Sequence, residues 1–359
     1  MRIIEDRWMV VVMQDAISSY SRRLMLRAAP VVLTSMLLVS GCTSGDPATE
    51  GRAAASAAPS AKPLPPLPRA VASAGAMPVV TGGFGREPQV RIPKSAPSDK
   101  LVVRAVTAGN GPLIRKGDVV AADYTATVWK SGRKLMSSYG EGGEPQVFVA
   151  GDGTLLRALD ANIVGQKVGS RVLAILPPGR AFGLDRLQSL GLTDKDSVAF
   201  VLDLKQATSP TTAVVGKQMP VPDGLPQVRA NNSTEVKIAV PAGPPPKGLV
   251  SRVLVQGSGP QVKRGQRVVL RYAGATWKEN QGKNTAKLFA SAWPGEQPFA
   301  IRLGTGESIK GWDQALVGQR AGTRLLLVIP PALGYGPTGH GPVPRNATLV
   351  YAVDILLTL

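Results

Sequence analysis

Cysteine and histidine each occur once in the 359 residues. A single cysteine excludes an internal disulfide and any cysteine-built metal site. A single histidine excludes a histidine metal centre and a relay of paired histidines. Aromatic residues make up 5% of the chain, so each large ring marks either a core or a pocket. The apolar run at 28–41 has 14 residues, short of the roughly 20 that a membrane-spanning helix needs. Acidic side chains are scarce as well, 24 against 42 basic ones, for a formal net charge of +18. Such a charge draws acidic partners. It is spread along the chain without a block of like charge, which reads as a solvated basic surface. Nucleic acid is not expected as a partner; an anionic lipid surface or wall polymer remains open.

What is present is enough for folded domains. Apolar residues are 43% of the chain, and its length suggests about two domains. Glycine (40) and proline (31) make it rich in turns. Residues 28–41, AAPVVLTSMLLVSG, have the length of a signal-peptide apolar region, flanked by Arg22, Arg23 and Arg27. The run ends in Val39-Ser40-Gly41-Cys42. Small residues at 40 and 41 fit a peptidase cleft, and the Cys42 thiol is a nucleophile for lipid transfer. The segment resembles a bacterial lipoprotein signal. That makes Cys42 the expected lipidation site and the outer face of the cell membrane the expected location. Ser21–Leu26 reads equally as a twin-arginine or an ordinary Sec export signal. Residues 43–76 are rich in Ala, Ser, Pro and Gly and form a tether with little to bury.

The rest of the chain repeats itself. At a shift of 148, Gly109-x-Gly111-Pro112 falls on Gly257-x-Gly259-Pro260, Tyr124 on Tyr272 and Trp129 on Trp277. At a shift of 153, Gly151 falls on Gly304, Val164-Gly165-Gln166 on Val317-Gly318-Gln319, and Pro177-Pro178 on Pro330-Pro331. The copies span 77–211 and 225–359, with 212–224 as linker. Units of this length are duplicated globular domains rather than solenoid repeats.

Strand signals dominate each copy. Arg267–Ala273 alternates, Arg324–Ile329 is a continuous apolar run stopped by two prolines, and Leu349–Leu357 closes the chain. Ile309–Val317 predicts one short helix, with Ile309, Trp312, Leu316 and Val317 on one face and Gly318 at its end. Its counterpart is Leu155–Val164, ended by Gly165. The predicted fold class is α+β: two tandem domains, each a curved antiparallel β-sheet wrapped around one short α-helix. The Gly-x-Gly motifs lack the strand–helix context of a dinucleotide site and are read as turns.

Copy two carries a long string of motifs: GSG…RGQRVVLRYAGATW, LFASAW, PFAIRLGTGESIKGWDQALVGQRAGTRLLLVIPPALGYG and NATLVYAVDILL. It resembles the FKBP-type peptidyl-prolyl cis–trans isomerases from about Leu249 to Leu357. Copy one is similar, more weakly, over Leu101–Leu204. The resemblance implies an apolar substrate pocket lined by Tyr272, Phe289, Phe299, Ile309, Trp312, Tyr335 and Tyr351, with Trp312 as its floor. It implies His340 and Val343 on an overhanging loop, with Ile301 and Val343 as substrate contacts. The Tyr335 hydroxyl and the Ile309 N–H would donate to substrate carbonyls. No cofactor and no metal are implied, and the partners are proline-containing unfolded or exported polypeptides.

Both copies depart from the pattern. The family's Asp after Phe289 is Ala290 here. In copy one Tyr124 and Phe200 remain, but the floor Trp is Leu159, and Leu135, Met136, Gln146 and Phe182 replace other pocket positions. Copy one is therefore expected to fold but to isomerise poorly. Two function classes follow: a membrane-tethered isomerase for exported proteins, or a tethered module that binds chains without turnover.

Overall fold

The computed structural model describes residues 70–152, 156–177, 190–211, 213–231, 235–293 and 298–359. Cys42, the signal segment and most of the tether lie outside them. Copy one opens with a small antiparallel hairpin, β1 (Val79–Thr81) and β2 (Gln89–Arg91). A six-stranded antiparallel sheet follows: β3 (Val102–Thr107), β4 (Val119–Val128), β5 (Lys134–Ser137), β6 (Gln146–Val149), β7 (Arg171–Leu176) and β8 (Val198–Thr208). Its order is β3-β7-β8-β4-β5, with β6 also on β4. Helix α1 (Arg157–Ile163) lies between β6 and β7 in the chain.

Copy two repeats the plan. Its hairpin is β9 (Gln227–Ala230) with β10 (Val236–Ala239). Its sheet comprises β11 (Val250–Val255), β12 (Arg267–Thr276), β13 (Leu288–Ser291), β14 (Phe299–Arg302), β15 (Arg324–Ile329) and β16 (Leu349–Thr358). The order is β11-β15-β16-β12-β13, with β14 on β12. Helix α3 (Lys310–Leu316) has Ile309 and Val317 as its caps. Gly318 follows at φ 88°, a left-handed turn that ends the helix. The α+β reading holds. A one-turn helix, α2 (Trp277–Asn280), is an addition that the sequence pattern did not announce.

The hairpins explain why the central strands are apolar throughout. β15 and β16 are buried along their whole length. One face, with Leu325, Leu327, Tyr351 and Val353, packs on α3. The other, with Leu326, Val328, Val350 and Ala352, packs on Val228 and Ile238 of the hairpin. A sheet covered on both faces loses the apolar–polar alternation of a half-exposed one. Ion pairs tie each hairpin down. Buried Arg171 pairs with Asp203 at 2.7 Å and donates to the carbonyls of Gly82 and Arg86. Arg324 pairs with Asp354 at 2.7 Å and donates to the Ala230 carbonyl at 2.9 Å. The repeated tryptophans do the same work: the Trp129 indole donates to Ser95 O at 2.9 Å and that of Trp277 to Gly243 O at 3.1 Å.

The Gly-x-Gly motifs are positions of close approach. A Cβ on Gly109 would sit 2.2 Å from Val168 O, and one on Gly257 would sit 2.3 Å from Ala321 O. No side chain fits there, so both copies keep glycine.

The copies also touch each other. Val119 of copy one is buried with Val269, Leu356 and Leu357 of copy two, and Val147, Val149 and Ala300 pack around them. Gln206 Nε2 donates to Thr358 O at 3.1 Å across the same contact.

Candidate active site

Strand β12 places Tyr272, β13 places Phe289 and β14 places Phe299. Helix α3 places Trp312, and β16 places Tyr351. The five rings converge. Trp312 stands at the centre, its ring 5.2 Å from Tyr272, 5.2 Å from Tyr351 and 6.0 Å from Phe299. Tyr272 meets Phe299 at 5.7 Å, and Phe289 meets Tyr351 at 5.7 Å. Every contact is edge-to-face, with interplanar angles between 64° and 85° across the cluster. That arrangement suits the ring quadrupoles and leaves ring faces turned in different directions, the shape of a cup.

Burial grades across the cluster. Tyr351 is 2% exposed and Trp312 is 5% exposed, whereas Tyr272, Phe289 and Phe299 are half-buried. The floor is closed and the wall is reachable. Ile309 is half-buried just ahead of α3, packs on the same core, and its N–H has no acceptor among the described residues. Ile301 and Val343 are buried, at 8% and 4% exposure, beneath this layer.

Two glycines let the rings close. A Cβ on Gly274 would lie 2.6 Å from both Phe289 Cζ and Tyr351 Cε1. A Cβ on Gly311 would lie 2.5 Å from Ile329 Cγ2, so glycine there lets α3 sink onto β15 and carry Trp312 inward. Sequence reasoning passed over both. The signal was present, since the positions matching Gly274 and Gly311 in copy one are Ala126 and Ala158.

The loop after β15 supplies the polar rim. A 3-10 turn, Pro331–Leu333, leads to half-buried Tyr335, which stacks on exposed His340 at 5.0 Å and 19°. The His340 and Val343 backbones exchange both N–H to O bonds at 3.0 and 2.9 Å, fixing the loop's tip. Burial pushes the Tyr351 hydroxyl far above its ordinary pKa, and neighbouring Tyr335, hydrogen-bonded to it, adds to the shift. The Tyr351 phenol stays protonated near neutrality. Ala290 on β13 pairs with Gly274 and brings no carboxylate to the rim. Such an arrangement has the chemistry to receive an apolar ring and to offer hydrogen bonds to a carbonyl. Among the described residues its lining shows no nucleophile beside a base and no paired carboxylates.

The sequence profile described as FKBP-type peptidyl-prolyl cis-trans isomerase matches residues 111–205 and again 259–356. The chain belongs to the FKBP-type peptidyl-prolyl cis–trans isomerase family. Among its relatives, FK506-binding protein 1 of Aspergillus oryzae is 33% identical over 112 residues, 30% of this chain and 97% of that protein. The FK506-binding protein of Neisseria meningitidis serogroup B is 38% identical over 110 residues, 30% of this chain and 94% of that protein. FK506-binding protein 4 of Rhizopus delemar is 42% identical over 112 residues, 31% of this chain and 27% of that protein.

The first FKBP domain shows what the second keeps. Leu159, 1% exposed, takes the place of Trp312. Gln146 stands where Phe299 stands, and Leu135 where Phe289 stands. Tyr124 and Phe200 alone survive of the five rings. Phe182, at the position of Tyr335, lies outside the described residues. On the hairpin side of the first domain's sheet, beside the Arg171–Asp203 pair, the Tyr139 hydroxyl donates to Asp203 at 2.7 Å, and burial with that carboxylate pushes its pKa far up.

Proposed function

We propose that the second FKBP domain is the working isomerase of the chain. In this reading, proline-containing polypeptides bind with the pyrrolidine ring on Trp312, between Tyr272 and Phe299. The carbonyl of the residue before proline meets the Ile309 N–H and the Tyr335 hydroxyl at the rim. The single observation behind the proposal is the edge-to-face cluster of five rings in this domain, against two survivors in the first.

The chemistry follows from amide resonance. Rotation about an Xaa-Pro bond meets a barrier of about 18–20 kcal/mol, because twisting destroys conjugation between nitrogen and carbonyl. The twisted amide carries less charge separation than the planar one. A water-poor aromatic cup therefore favours the twisted form, and fixed rim donors hold the carbonyl while the prolyl side turns. Only this differential binding speeds the reaction, by tenfold for each 1.4 kcal/mol or so. No proton needs to be transferred.

Export and lipidation at Cys42 would hold this activity at the outer face of the cell membrane. A reaction without a nucleotide cofactor suits that compartment, where slow prolyl steps limit the folding of exported chains. The basic surface adds attraction to anionic lipid or wall polymer, which salt would weaken.

Cis–trans exchange of an Xaa-Pro peptide, read by NMR with the full chain and its Trp312→Leu variant, tests the proposal. Acceleration that collapses in the variant supports it. A second reading, chain binding without turnover, is favoured by Ala290 at the rim and by the degraded first domain. Peptide binding with no acceleration in the wild-type chain would establish that reading instead.

A further inference from the structure

Strand β14 carries Phe299, one wall of the cup, and is itself lightly held. It has four residues and pairs only with Arg267–Leu270 of β12. So short an edge strand has little to hold it. Its register adds a difficulty, because Arg267 stands directly opposite Arg302. Like charges directly across a strand pair destabilise it. Arg267 is also largely buried, and desolvation lowers its pKa.

The relief comes from the other domain. Glu144, in the loop before β6, gives one carboxylate oxygen to Arg267 at 2.8 Å and the other to Arg302. Arg267 also donates to the Pro145 carbonyl at 2.9 Å. Arg302 is tied back to the Gly265 carbonyl at 2.8 Å. The other carboxylate nearby, Glu307, accepts only a long contact of 3.4 Å from the Arg302 backbone N–H. The two faces of β14 therefore divide the labour. Phe299 and Ile301 face the aromatic core. Ala300 packs in the apolar contact with the first domain, and Arg302 is held by Glu144.

We infer that the first domain positions the pocket of the second: Glu144, bridging Arg267 and Arg302, clamps β14 from behind and so sets Phe299 against Trp312. Glu144 is a positioning residue, and the inference rests on reading the Trp312 cup as the isomerase site. It gives the first domain a role that its degraded pocket does not.

The test uses the full chain as wild type, Glu144→Gln and Glu144→Asp, with two measurements. Hydrogen exchange of 299–302 is compared with that of β15 in the same molecule, and kcat and KM are measured on an Xaa-Pro peptide. The glutamine variant should exchange about tenfold faster at 299–302 with β15 unchanged. It should also lose about three- to tenfold in kcat/KM, mainly through KM. The aspartate variant should recover most of both. Unchanged exchange at 299–302 in Glu144→Gln overturns the clamp whatever the activity, and faster exchange spread equally over both sheets overturns it as well. An inactive wild-type chain sinks the isomerase reading alone, because the exchange comparison still decides whether Glu144 holds β14.

Discussion

The two FKBP domains share one backbone plan and differ in what fills it. Both keep the hairpin on the back of the sheet, the buried Arg–Asp pair, the anchoring tryptophan and the close-approach glycines. Those features hold a sheet together whatever its pocket does. The five-ring cluster occurs in the second domain only. Fold and pocket thus answer to separate sets of residues, and one set survives the loss of the other.

That separation can be broken in a graded way by giving the second domain what the first contains. The largest effect should come from Trp312→Leu, which copies Leu159. It removes the floor and its three ring contacts, and kcat/KM should fall by about 10- to 100-fold, or about 1.4–2.8 kcal/mol of transition-state binding. Peptide exchange measured by NMR reads this directly. A fall of less than twofold would show that the rings are core and not pocket.

Gly274→Ala, copying Ala126, should come next. The new Cβ drives into Phe289 and Tyr351, and overpacking of this kind costs about 1–3 kcal/mol of stability. Activity should fall by about tenfold. Denaturant unfolding together with turnover separates the two losses.

The reverse graft should fail. Leu159→Trp forces an indole into a site where the leucine is already 1% exposed, with Gln146 and Leu135 still in the wall. Destabilisation of about 1–3 kcal/mol is expected, with no new activity above a Trp312→Leu background. A gain in turnover there would show that the floor alone makes a prolyl pocket.

The smallest effect should belong to Tyr351→Phe, which copies Phe200. The Tyr351 hydroxyl titrates higher in the folded chain than in the unfolded one. Its contribution to stability is therefore complete below about pH 10 and is lost as the pH rises beyond that value. The variant should lose about 0.5–1.5 kcal/mol at pH 7, the worth of one hydrogen bond, and should flatten the alkaline end of the stability profile. An unchanged alkaline slope in melting experiments would remove Tyr351 as its source.

Much of this was legible in the chain. Apolar runs and proline stops gave Arg324–Ile329 without error, because a strand buried on both faces writes itself as an unbroken apolar string. Helix α3 was framed by Ile309 and Gly318, since periodicity and a left-handed glycine mark helix ends well. The hairpins were missed because strands of three or four residues lack enough period to register. Gly274 and Gly311 were missed because their meaning lies in atoms distant in sequence, a phenyl ring and an isoleucine methyl. Glu144 was missed for the same reason. Its partners lie more than a hundred residues away, and only the contact between domains reveals that an arginine facing an arginine is answered.

That contact joins corresponding positions of the two copies. In the first domain Val119 is registered with Val149; in the second, at the same two places, Arg267 is registered with Arg302. The copies thus meet through equivalent faces, as the subunits of a two-fold dimer do. A true homodimer would have to set this face against itself, arginine upon arginine. Fusion into one chain removes that constraint: one copy can turn apolar while the other stays cationic. It also frees the pairing from dilution, because covalently joined partners see each other at an effective concentration in the millimolar range. Duplication thereby yields an asymmetric pair that no assembly of identical subunits could reproduce.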